Sequence, residues 1–266
     1  MEFFLRRMRV ASRAAFIHFL SSTLLASLAA TLVLLIWYPY PYDLLSGGRM
    51  LFLVLVCVDV VCGPLLTLVL FSSTKSSREL VTDMGLVVLI QMAALIYGLH
   101  TAYEARPLFL AHEVDRFRVI ALGDYGKVDV RESLAALPEP LRPHWLKGPA
   151  TVAMRPPKDE NERREVMLEA ISGGRDYSQR PDFYVPYGAT ADQRRILARA
   201  KPLRNFIALN PDAKELAAAM LKRNGVPLED ATFLPVMHKQ EWVVVMDKAA
   251  HILGFLPGDG FRARDL

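Results

Sequence analysis

Hydrophobic positions are unevenly spread along the chain. Three long apolar runs fill the first hundred or so residues, and a polar–apolar mixture typical of a folded domain fills the rest. A helix needs about twenty apolar residues to cross a hydrocarbon core of roughly 30 Å. Residues 17–38 meet that length, broken only by Ser21, Ser22, Thr23, Ser27 and Thr31, whose hydroxyls can bond back to their own helix. Residues 50–71 meet it with a single charge, Asp59, and residues 84–103 with none, Gln91 and His100 being their most polar members. These runs predict three membrane-spanning helices.

After Glu104-Ala105-Arg106-Pro107 the period changes. Residues 116–121 alternate as a strand does, residues 138–149 form a proline-rich loop, and residues 151–154 form a short strand stopped by Pro156-Pro157. Three helices follow. The first has an Asp159/Glu162 capping-box pair, an apolar face of Val166, Met167, Ala170 and Ile171, and a Gly173-Gly174 stop. Thr190 and Gln193 cap the second, which carries Ile196, Leu197 and Ala200. The third opens at Asn210-Pro211-Asp212, repeats Ala213, Leu216, Ala217, Met220 and Leu221 on one face, and closes with Lys222, Arg223 and Gly225. Strands at 232–238, 242–246 and 252–256 then form an antiparallel β meander. The expected fold class is a membrane protein: three transmembrane α-helices followed by a soluble α+β domain. Its parts are a cytoplasmic leader (1–16), a three-helix anchor (17–103) and a periplasmic domain (104–266).

Charge gives this arrangement a direction. The leader carries Arg6, Arg7, Arg9 and Arg13, and the second connection (72–83) carries Lys75 and Arg78. The first connection (39–48) has no Lys or Arg. Positively charged loops stay in the cytoplasm, so the first connection and the C-terminal domain lie outside. Trp37, Tyr38, Tyr40 and Tyr42, with Tyr97 and Tyr103, are expected as amphipathic rings at the outer headgroup layer. The arginines followed by an apolar run also resemble a signal peptide, with Ser27-Leu28-Ala29 resembling a cleavage site. The run continues to Trp37, too long for such a segment, so it is read as retained.

Net charge is +4 in all. The stretch 104–266 holds 25 Lys and Arg against 23 Asp and Glu, a net of +2, and therefore no nucleic-acid footprint. Both cysteines, Cys57 and Cys62, lie in the second run, read as small apolar fillers, which leaves the domain without a disulfide or thiolate site. The six histidines lack metal-site spacing, and no nucleophile elbow or phosphate loop occurs. No catalytic residue, metal, cofactor or small-molecule substrate is indicated, and an enzyme is not expected. The exception to bland chemistry is Asp59. A carboxylate in mid-span costs roughly 2.5–3.5 kcal/mol on insertion scales, so it must be neutral, paired or facing protein. Gly63-Pro64 nearby frees a backbone carbonyl and permits a kink. Asp59, Gly63 and Pro64 are thus the candidate surface for a partner helix, with Gln91, His100 or Thr67 as internal partners on the alternative reading.

Several segments resemble a known family. They are His18-Phe19-Leu20, Trp37-Tyr38-Pro39, the run Val58-Asp59-Val60-Val61-Cys62-Gly63-Pro64-Leu65-Leu66-Thr67-Leu68, Gln91 through Gly98, Ala105-Arg106-Pro107 and Val114-Asp115-Arg116-Phe117. Together they resemble the TfpX/TfpZ family of type IV pilin accessory proteins, more loosely through Tyr184-Val185-Pro186-Tyr187 and Leu234-Pro235-Val236, with Cys62 as a departure. The resemblance implies a bacterial inner-membrane, pilin-specific chaperone whose partners are a type IV pilin and the lipid bilayer. It transfers no catalytic residue. The alternatives are a membrane-anchored sensor or regulatory subunit with an extracytoplasmic ligand-binding domain, or a pilin-modifying enzyme.

Overall fold

The structure, a computed structural model, describes residues 2–71, 75–126, 128–188 and 190–264; side chains of residues 2–7, 51, 55, 190–192 and 264 lie outside the description. The side chains of Arg6, Arg7 and the Thr190 cap, and part of the 72–83 connection, therefore fall outside it. The chain divides into two compact units, Met1–Tyr40 with Gly47–Glu104, and Pro41–Ser46 with Ala105–Leu266.

The first unit is helical. Helix α1 (Glu2–Thr31) continues as a π-helical segment through Trp37. After a short α2 (Tyr42–Leu45), which belongs to the other unit, come α3 (Gly48–Leu70) and α4 (Ser77–Glu104). Met8–Trp37, Gly48–Leu70 and Ser77–Glu104 are each long and apolar enough to cross a membrane. Their outward faces are aliphatic: Leu24, Leu28, Val54, Leu65, Leu89 and Ile96 are all exposed. Contiguous apolar surface on this scale is what lipid, not water, tolerates. The bundle is stitched by Ala29, Val33, Trp37, Phe52 and Leu95.

Most of the aromatic residues assigned to the headgroup layer pack against protein. Trp37 and Tyr38 are buried in the bundle; the Tyr38 hydroxyl donates to the Ala102 carbonyl at 3.0 Å, and Trp37 meets Tyr103 edge-on at 5.3 Å. Only Tyr40 and Tyr97 present exposed rings of the six. Burial in the bundle gives the Tyr38 hydroxyl the partner that the polar handle of a buried ring needs.

The second unit is built on a mixed sheet. In chain order its elements are β1 (Pro107–Glu113), β2 (Arg116–Ala121), α5 (Arg131–Ala135), β3 (Ala150–Met154), α6 (Glu160–Ile171), β4 (Tyr184–Pro186), α7 (Thr190–Leu197), β5 (Lys201–Pro202), α8 (Leu203–Leu209), α9 (Lys214–Asn224), β6 (Thr232–Met237), β7 (Trp242–Met246) and β8 (Ile252–Pro257). Strand order is β4-β3-β1-β2-β6-β7-β8, with β5 pairing β6. The expected meander is present as β6-β7-β8, antiparallel throughout, but β1 pairs β3 and β2 pairs β6 in parallel.

Side-chain alternation sorts the core by face. Leu234, Val236, Trp242, Val244 and Met246 share one apolar cluster with Leu110, Phe117 and Val119. Phe233, Val243 and Val245 point the other way, under α8 and α9 through Phe206, Ala217 and Leu221. A third cluster gathers Phe109, Ala111, Ile120 and Val152 with Val130, Leu134 and Val166. The first of these clusters is closed by Ile196 of α7 and, from far away in sequence, by Tyr42 and Leu45 of α2. Leu45 is wholly buried, Tyr42 meets Phe255 edge-on at 6.0 Å, and Ser46 Oγ lies 3.0 Å from His238 Nε2. Burial holds the Tyr42 phenol in its neutral form and pushes the His238 imidazole down to about 4.

Helix α6 departs from expectation twice. Asp159 caps it, its Oδ1 accepting from the Asn161 and Glu162 amides at 2.9 and 2.8 Å. Glu162 does not return to complete a capping box. It takes a two-pronged bond from Arg155 at 2.8 and 2.9 Å and also accepts from the Lys158 amide, which together hold its carboxyl down at about 2. Of the apolar face, Val166 alone is buried; Met167 and Ile171 are exposed, as is Leu168.

Candidate functional site: a polar cavity in the helical bundle

Helix periodicity places Ser21 and Ser22 one turn and Leu25 two turns from His18 on α1, Val56 and Asp59 on one face of α3, and Val88, Gln91, Met92 and Leu95 on one face of α4. These faces converge around a cavity of about 220 Å³. Its lining is largely apolar, with five polar side chains: His18, Ser21, Ser22, Asp59 and Gln91.

The three residues singled out from sequence lie together on α3, each with a distinct role. At Gly63 a Cβ would collide with Gln91 Nε2, so the absent side chain is what admits the Gln91 amide against α3. Gln91 Nε2 then donates to the Asp59 carbonyl at 2.9 Å. Pro64 sits inside a helix that runs on to Leu70 and offers no N–H to the carbonyl of Val60, next along from the one Gln91 takes. The pair opens the α3 ladder just where a side chain of α4 reaches in to bond it.

The Asp59 carboxyl lines the cavity and makes no hydrogen bond or ion pair among the described residues. None of the anticipated internal partners meets it. Gln91 binds its backbone, Thr67 faces His18 (Oγ1 to Nδ1, 2.6 Å), and His100 is exposed on α4. Gln91 Oε1 is buried without a hydrogen-bond partner among the described residues. The cavity therefore presents unspent hydrogen-bonding capacity in an apolar setting, where each unmade bond is costly. His18 and the serines were not legible as site residues, since small hydroxyls and one histidine in an apolar run read as helix filler. Cys57 and Cys62 are free and exposed on α3, facing away from packing rather than filling it. No group of three or more His, Cys, Asp or Glu able to hold a metal ion occurs among the described residues.

The second unit has a concavity of its own, about 670 Å³, which sequence reasoning missed. Its walls come from the β1–β2 turn, the end of β3, α6, residues 176–177 and α7. His112 forms part of the floor, buried, with Nε2 lacking a hydrogen-bond partner among the described residues. Burial first, and then the Arg195 guanidinium, push its imidazole down to about 4, against a weaker opposite pull from Asp115. The Tyr177 hydroxyl donates to the Arg155 carbonyl, and burial raises that phenol to about 12.

The chain resembles proteins of stated role across nearly its whole length. Residues 6–47 match the model of the family described as fimbrial assembly protein FimB. A fimbrial assembly protein of serogroup I from Dichelobacter nodosus is 36% identical over 260 residues, covering 97% of this chain and 98% of the relative. The serogroup E1 protein of that organism is 34% identical with the same coverage, and one from serogroups C1 and C2 is 40% identical over 45% of this chain and 91% of its own length. No solved structure matches the chain. With likeness running through both the helical bundle and the sheet domain, the chain belongs to the family of fimbrial assembly proteins.

Proposed function

We propose that this chain is a multi-pass inner-membrane accessory protein of type IV pilus biogenesis, of the TfpX/TfpZ kind, acting as a pilin-specific chaperone rather than as an enzyme. The observation that carries the reading is the whole-length likeness to fimbrial assembly proteins. A pilin awaiting assembly holds an apolar helix in the bilayer and a folded head outside it. In this reading the bundle takes the helix and the outer domain takes the head. The unspent polar groups at Asp59 and Gln91 support a docking place for a polar residue of a partner helix, since within lipid such groups are satisfied by other helices.

Orientation follows the loop charges, with the arginine-rich N-terminus in the cytoplasm and the large domain in the periplasm. The packing of Pro41–Ser46 into the domain supports the count of crossings rather than their direction, since two spans between them put the first connection and the domain on one side of the membrane. A photo-crosslinking residue at Leu25 or Val88, both lining the cavity, is expected to capture pilin in living cells. Failure to recover pilin from either position, in cells that are assembling pili, overturns the proposal.

A further inference from the structure

We propose that the concavity of the sheet domain is a docking groove for a short acidic, apolar segment of the pilin head. This rests on the pilin-binding reading above and adds to it the place and chemistry of the contact. Four observations converge on the groove.

The first is apolar surface without cover. Met167 is 53% exposed at its wall, and Leu168 and Ile171 extend the patch along α6 at 62% and 75%. A helix face this apolar, left open beside a concavity, marks an interaction surface. The second is backbone strain. Val114, at the tip of the β1–β2 turn, has φ +54°, a region a β-branched residue rarely adopts, and it presents a 58% exposed side chain to the groove. Strain of this kind persists where the surroundings enforce it, often at ligand-binding places. The third is the buried floor. His112 is 7% exposed, and its Nε2 has no hydrogen-bond partner among the described residues.

The fourth is charge. The groove has three arginines, Arg163, Arg195 and Arg199, and two acids. Both acids are already engaged inside the domain: Asp176 pairs with Arg118, and Glu113 accepts from the Ser178 hydroxyl at 3.1 Å and its amide at 3.3 Å. Arg163 has only an exposed i,i+3 pair with Glu160, of the kind worth little, and Arg199 has no ion-pair partner among the described residues. Positive charge around an apolar floor, with a buried imidazole available to hydrogen-bond, selects a carboxylate flanked by apolar side chains. A basic or purely polar segment meets repulsion or an unfilled floor.

The test uses the full-length protein in cells making pili, with a photo-crosslinking residue at Met167 and, separately, at Leu25 of the bundle. The expected result is pilin captured at both, with the peptide joined at Met167 holding Asp or Glu within a few residues of the link. Combined Arg163→Glu and Arg199→Glu substitution, on exposed side chains that leave the fold intact, is expected to lower capture at Met167 by about tenfold or more and to spare capture at Leu25. Pilin at Leu25 but not at Met167 overturns the groove while leaving the pilin reading standing; pilin at neither overturns both. Capture at Met167 of a phospholipid, of a second copy of this chain or of a pilin segment without an acid also overturns the groove, as does capture indifferent to the charge reversal.

Discussion

Replacing Leu45 with alanine tests whether a residue of the first interhelical connection is a structural member of the domain beyond the third helix. Leu45 is 0% exposed and packs in one cluster with Leu110, Phe117, Leu234 and Val244. Truncating a fully buried leucine removes its transfer free energy and leaves a cavity, together about 3 kcal/mol where the site relaxes little. A urea m-value of about 2 kcal/mol/M suits a domain this size, so the unfolding midpoint should fall by roughly 1.5 M. The assay is urea-dependent proteolysis of the full-length protein in detergent, following loss of the protease-resistant domain. Leu234→Ala, a core position in the same cluster, is the positive reference, and Val54→Ala, exposed on α3, is the negative one. If Leu234→Ala lowers the midpoint but Leu45→Ala moves it by less than about 0.3 M, α2 is not a core element and the reasoning fails.

The remaining predictions concern titration and the bundle. His112 is buried neutral at about 4, below its ordinary value of 6.5, so the unfolded state takes up its proton first as pH falls. Stability is therefore full above about pH 6.5 and is lost towards pH 4, by about 2 kcal/mol between pH 7 and 5; His112→Gln should flatten that part of a urea-midpoint profile, and an unchanged slope would refute it. Gly63→Ala drives a Cβ into the Gln91 amide and should cost about 1 kcal/mol or more of bundle stability. In a Gln91→Ala background the same change should cost far less, and additive losses in thermal melts of the detergent-solubilised protein would count against the contact. Asp59→Leu should raise or preserve the abundance of the protein, since it removes the insertion cost, while abolishing pilus assembly; normal piliation by electron microscopy would detach Asp59 from function.

Sequence and structure agree most where the pattern is long and repetitive. The three apolar runs and the strands of the meander are found close to the predicted positions, because hydrophobic periodicity alone specifies them. Strand β1 was illegible for a physical reason. Pro107-Leu108-Phe109-Leu110-Ala111-His112 is buried on both faces between β2 and β3, so it has no alternation and reads as an extension of the preceding helix region. The two-residue β5 and three-residue β4 are held by their neighbours and have no signal of their own. At the candidate site Asp59, Gly63 and Pro64 stood out because each breaks a rule of apolar helices. Gln91 was visible as a polar residue but not as a ligand for the Asp59 carbonyl, since that contact depends on how α3 and α4 meet. The domain groove gathers five separate stretches of chain and had no sequence signature at all.

The placement of Tyr42 and Leu45 has a consequence for biosynthesis. Ser46 and His238, which meet in the folded domain, are 192 residues apart, so this corner of the core is made early in translation and used last. Were either of the two helices between them, α3 or α4, to fail to cross, the bilayer would separate the tyrosine and leucine from the sheet that requires them. The domain would then close around a hole and be left open to proteases. Crossing of the membrane by both intervening helices is thereby a condition for completing the core of the domain.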